Sequence, residues 1–109
     1  MTFDCAGGFF GIAAHVTGPG TRRILLDADF WRLGTRSGDN GFISTRGSVI
    51  IHELMHLAGA FDYHDLFPVS HVSDFQYALD LAAFLPDYAP YNANNHEYFY
   101  LGCLARFPC

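Results

Sequence analysis

The sequence predicts an α+β domain in which a small N-terminal β-sheet is followed by a buried helix and two further helices. Three observations lead there. Apolar, strand-like stretches occupy residues 8–27, helical patterns with capping signals fill the chain from residue 47 onward, and no repeat, low-complexity tract or linker divides the 109 residues. A chain of this length supports a single modest core, so residues 1–109 are read as one domain.

The elements follow in order. Residues 8–16 ("GFFGIAAHV") and 22–27 ("RRILLD") read as two strands, joined across Thr17–Gly20 ("TGPG") by residues suited to a hairpin turn. Residues 34–47, rich in Gly, Ser, Thr, Asp and Asn, read as a loop. A helix is expected from about Gly47 to Ala58, where "SVIIHELMHLA" is apolar nearly all round, the pattern of a buried helix. Gly59 can end it as a C-cap residue. The stretch "AFDYHDLFPVSHV" is irregular, with Pro68 as a breaker. Ser73 and Gln76 have capping-box spacing and open a second helix that ends before Pro86, its Phe75, Tyr77, Leu79, Leu81 and Phe84 being read as core. A third helix starts near Asn92–Asn94, with Asn94 and Glu97 again at capping-box spacing.

Composition narrows the function classes. Half of the residues are apolar and 16% are charged, which is globular and far from the profile of disorder. A net charge of −5 argues against nucleic acid, because phosphate binding needs clustered Lys and Arg, whereas Arg22, Arg23, Arg32 and Arg36 are spread out. No window approaches the roughly 20 apolar residues of a membrane span, so no membrane partner is expected. The N-terminus has Asp4 where a signal peptide would carry basic residues, and it is read as part of the fold. Cys5, Cys103 and Cys109 allow one disulfide, a pairing suited to a secreted domain, though a reduced interior is equally allowed.

The chemistry concentrates in "HELMH", His52 to His56. Residues four apart on a helix lie about 40° from each other around the axis and about 6 Å along it, so both imidazoles can reach one cation. Glu53 points about 100° away from His52, too far round to ligate but near enough to touch a water on that cation. A helix this apolar should exclude three ionisable groups, since burying them without partners is costly; a divalent cation removes the cost. Catalytic zinc needs a third protein ligand and an open position. Asp62, His64, Asp65 and His71 are candidates. Asp62 is favoured because Gly59 permits a sharp turn and six residues let the chain fold back. His64 is its main competitor; His71 and His15 are read as having no role in the site.

At these residues the chain resembles the aspzincin metallopeptidases, the deuterolysin-like group that includes fungal peptidyl-lysine metalloendopeptidases. That group pairs HExxH with a G-T-x-D-x-x-Y segment, and "GAFDYHD" (Gly59–Asp65) is similar to it, which implies Asp62 as the third ligand. "YNANNHEYFY" (Tyr91–Tyr100) resembles the group's Asn-Ala-Asp-x-x-x-x-Phe helix, and "ILLDADFW" its strand leading into an aromatic pair, so the likeness spans roughly residues 22–100. It implies a zincin-like fold, one zinc ion per chain, a peptide or protein substrate, secretion, and hydrolysis by a water activated on the metal with Glu53 as general base. A monomer is expected.

The chain departs from the pattern at two positions: the family's Thr is Ala60, and its Tyr, expected to stabilise the oxyanion, is Asp65. Tyr63 or His64 can supply that hydrogen bond instead, Tyr63 being the residue assigned. The chain is shorter than a full family domain and is read as N-terminally incomplete or divergent. The resemblance also allows cleavage before lysine, with Asp74, Asp80, Asp87 and Glu97 as available acids, each otherwise a solvated charge or, for Glu97, a helix cap. "HELMHLAGAFD" further satisfies the Asp-ended metzincin signature, but the only methionines, Met1 and Met55, precede Asp62 and leave no methionine turn downstream.

Overall fold

The computed structural model describes residues 2–4, 14–16, 23–34, 44–71 and 73–105. Three strands, β1 (Thr2–Asp4), β2 (Ala14–Val16) and β3 (Arg23–Leu26), form a sheet in the order β1-β3-β2. β3 pairs parallel with β1 and antiparallel with β2. Within the described residues the two expected strands are present at Ala14–Val16 and Arg23–Leu26. Strand β1 was not expected from sequence: it is three residues long, and its pairing with β3 is made some 20 residues away along the chain. The expected turn at Thr17–Gly20, residues 8–13 and most of the 34–47 loop lie outside the described residues.

After β3 the chain turns into a 3-10 helix, Ala28–Arg32, instead of extending the strand. The turn buries Phe30, which joins Ala14, Ile24, Leu26 and Val49 in one hydrophobic core. Trp31, next in sequence, is exposed and receives the Arg46 guanidinium on its face at 5.5 Å.

Helix α1 runs Arg46–Leu57. Its start is fixed by Thr45 and Ser48 in a reciprocal capping box: Ser48 N–H donates to Thr45 Oγ1 at 3.1 Å and Thr45 N–H to Ser48 Oγ at 2.8 Å. Its end is a Schellman turn. Gly59, at φ 102°, lets Gly59 N–H reach His56 O and Ala60 N–H reach Met55 O. The helix packs on β2 and on α3 (Ala93–Ala105). It is less enclosed than its apolar sequence suggests: Ser48, Val49 and Glu53 are buried, and most of the rest are half-exposed. Gly47 admits the Tyr100 hydroxyl of α3, which would stand 2.8 Å from a Cβ at that position.

Helix α2 (Asp74–Phe84) opens on Ser73, whose side chain accepts from Gln76 N–H. The reciprocal half of the expected box is not made, because the Gln76 amide turns to Asp80 instead. Tyr77 and Leu81 enter a second core with Val69, but Leu79 and Phe84 are exposed, so only part of the expected apolar face is core. A short 3-10 helix, Ala89–Tyr91, precedes α3. The expected cap between Asn94 and Glu97 does not form. Glu97 is drawn instead into the interior toward α1. The chain is α+β, a small sheet with three helices, as the sequence predicts. Among the described residues no helix is long and apolar enough to cross a membrane.

Candidate metal centre

α1 and the loop after it bring three of the predicted ligands to one point. His52 Nε2 and His56 Nε2 are 3.1 Å apart, Asp62 Oδ1 is 3.0 Å from His52 Nε2, and Asp62 Oδ2 is 3.0 Å from His56 Nε2. The helix supplies the two imidazoles by its pitch. The loop supplies the carboxylate because it is clamped: Phe61 N–H donates to Tyr91 O at 2.7 Å, Ala93 N–H to Phe61 O at 2.9 Å, and Tyr63 N–H to the buried Asn92 side chain at 3.1 Å. Asn92 also donates to Asn95 at 2.7 Å. Replacing Asn92 by Ala strands these buried groups, at about 1–3 kcal/mol. At roughly 4–8 °C per kcal/mol for a domain of this size, Tm should fall by at least about 4 °C; an unchanged melting curve would show that the clamp does not hold the loop.

The donor chemistry fits a cation. His56 Nδ1–H donates to Ala60 O at 2.9 Å, so its Nε2 presents a lone pair to the cluster. His52 Nδ1 faces the Glu97 carboxylate at 3.1 Å, outside linear hydrogen-bond alignment, and its Nε2 points to the same spot. Two imidazole lone pairs and a carboxylate converging within 3.0–3.1 Å repel one another unless protons or a metal lie between them. The spacings are close to the roughly 3.3–3.4 Å edge of a tetrahedron with metal–ligand bonds of about 2.0–2.1 Å. His52, Glu53 and His56 also form a candidate triad within 4.8 Å, but the Asp62 triangle is the tighter one.

Titration behaviour points the same way. Burial works against charge on His52, but hydrogen bonding to Asp62 and the contact with Glu97 outweigh it and raise its pKa to about 10. The bond to Asp62 likewise raises His56. Burial also opposes charge on Asp62 and on Glu97, yet their histidine and serine partners hold both carboxyls below the usual range. A site that takes up protons this readily in the absence of metal carries the negative field a dication needs.

Glu53 is buried beside the pair, and burial is the main cause that pushes its pKa up to about 7. The centre opens into a cavity of about 690 Å³ bounded in part by Glu53, Asp62, Tyr63 and Glu97. Asp62 is 59% exposed, so the metal position is reachable from that side. Tyr63 lines the cavity with its ring against Phe61 and Tyr88. His64, the competing ligand, turns its Nδ1 to Asp62 O at 3.3 Å, and Asp65 is exposed.

Three residues read from sequence as outside the site border the cavity: His71, Asp74 and Glu97. His71 lies there, its Nε2 2.8 Å from Asp74 Oδ1, a pair whose three-residue spacing was visible in the sequence. Glu97 lies there as well and is far from a solvated charge. Of the other acids, Asp80 bonds Gln76 on the exposed side of α2 and Asp87 is exposed. His15 reaches the buried Asp27 at 2.6 Å. Cys103 is disulfide-bonded, and the other two cysteines lie outside the described residues.

The fold is a zinc metallopeptidase fold. The structure is similar to a zinc peptidase from Grifola frondosa, with a TM-score of 0.71 and 29% identity over 93% of this chain, which bears out the likeness drawn from the sequence. The chain spans 56% of the length of that structure. No protein-family model matches the chain, and no curated protein matches it in sequence.

Proposed function

We propose that the chain is a zinc-dependent metalloendopeptidase of the aspzincin type, a single secreted domain acting on peptide or protein substrates as a monomer. The observation that carries this reading is the convergence of His52, His56 and Asp62 at 3.0–3.1 Å beside a buried Glu53, on the wall of an open cavity. His52, His56 and Asp62 hold one zinc ion. When bound, zinc polarises a carbonyl and makes a water more acidic. Glu53, with a pKa near the working range, takes the proton from the attacking water and returns it to the leaving amine. Tyr63 donates a hydrogen bond to the oxyanion that develops on the substrate. The disulfide at Cys103 supports a secreted setting.

One feature favours a second reading, a zinc-binding protein without turnover: Asp65 stands where the family resemblance leads one to expect a tyrosine. Digestion of a peptide library with and without a chelator separates the two. Cleavage that stops on chelation and returns with zinc supports the peptidase; tight zinc without cleavage supports the binder.

A further inference from the structure

We infer that Glu97 is a positioning residue for the metal centre, fixing through its contact with His52 both the orientation and the tautomer of that ligand. The inference rests on the zinc reading above and adds to it a residue from a different helix.

Glu97 is a carboxylate only 7% exposed, a costly placement that needs partners. Its two oxygens are used differently. Oε2 accepts from Ser44 Oγ at 2.8 Å and from Ser48 Oγ at 2.7 Å. Ser48 has a single hydroxyl proton and also lies 3.0 Å from Thr45 O; the shorter, charge-assisted bond to Glu97 takes it. The serines thus pin one oxygen and leave Oε1 facing His52 Nδ1 at 3.1 Å. The contact falls outside hydrogen-bond alignment, but the carboxylate charge beside Nδ1 favours an imidazole proton there. When a metal displaces the proton on Nε2, the lone pair it frees points toward His56 and Asp62, as a metal ligand requires.

The second ligand is handled in the same way by a different group. His56 Nδ1–H donates to Ala60 O, a carbonyl delivered by the Schellman turn. Both imidazoles are therefore oriented from behind, one by the turn that ends α1 and one by a carboxylate from α3. Ser48 links the helix cap to the same carboxylate, so the start of α1 and the orientation of His52 share a residue.

The test is zinc affinity of the 109-residue chain, measured by competition with a chromophoric chelator, together with the visible spectrum of the cobalt-substituted protein. Glu97→Gln should weaken zinc by about 10- to 100-fold and shift the cobalt bands. Ser44→Ala, which loosens Glu97 without touching the helix cap, should weaken zinc by a few-fold in the same direction. Thermal melts of the metal-free variants monitor folding, and Ser44→Ala serves if Glu97→Gln does not fold. Zinc affinity and cobalt spectra equal to wild type in these variants would overturn the inference while leaving the zinc reading intact. Failure of the wild-type chain to bind zinc would overturn both, and the two failures are told apart by the wild-type titration alone.

Discussion

Replacing Glu53 by Gln should leave zinc content unchanged and lower kcat by roughly 100- to 10,000-fold, the usual contribution of a positioned general base. Gln keeps the shape and burial of the side chain but cannot accept a proton. The same variant tests the ligand set. If Glu53 were the third ligand in place of Asp62, as its distance from the histidines would allow, zinc affinity would fall as well. The pH profile adds a signed expectation. Catalysis needs the ionised carboxylate, so kcat/KM should rise with pH along an acid limb set by Glu53. Burial pushes the Glu53 pKa up to about 7 in the metal-free centre, and a cation beside it draws that pKa, and the limb with it, lower. The limb should vanish in Glu53→Gln. Activity retained at the wild-type level would remove Glu53 from the mechanism.

Replacing Asp62 by Ala should weaken zinc by roughly 100- to 1,000-fold. The estimate divides the roughly 10–16 kcal/mol of a four-ligand zinc site into about 2.5–4 kcal/mol per ligand. Proton linkage gives an independent check. In the metal-free protein His52 keeps its proton to about pH 10, and His56 is raised too, largely through Asp62. Zinc at pH 7 must therefore displace at least one proton, and its affinity should fall about tenfold for each unit the pH is lowered, per proton displaced. Calorimetry in buffers of different ionisation enthalpy counts the protons. Asp62→Ala removes the hydrogen bonds that raise both histidines, so proton release should shrink along with affinity. Unchanged zinc affinity and proton release in this variant would exclude Asp62 from the centre.

What the sequence revealed and what it hid differ in how local the causes are. His52, Glu53 and His56 were legible because helix pitch alone puts them together, and Gly59 announced the turn because only a left-handed residue closes the Schellman motif there. Asp62 was legible as a ligand within reach of a short loop. The clamp that holds it was not, since Tyr91, Asn92 and Ala93 meet the loop from about 30 residues downstream. Glu97 was misread for a related reason. Its spacing from Asn94 suggests a cap, but its partners are Ser48 and Ser44, 49 and 53 residues away, and a carboxylate bound for the interior looks in sequence like one bound for solvent. The strand expected over residues 22–27 stops at Leu26, where Asp27 becomes the N-cap of the 3-10 turn that places Phe30 in the core. Strand β1 escaped notice because three residues carry no periodicity, and its existence depends on pairing with β3.

The proposed zinc site depends on the two histidines of α1. Zinc bound per chain, measured by elemental analysis after metal loading and exhaustive dialysis, tests it most directly in wild type beside His56→Ala. One zinc per wild-type chain and close to none in the variant is the predicted result. No zinc in the wild-type chain, or one zinc retained by His56→Ala, would contradict it.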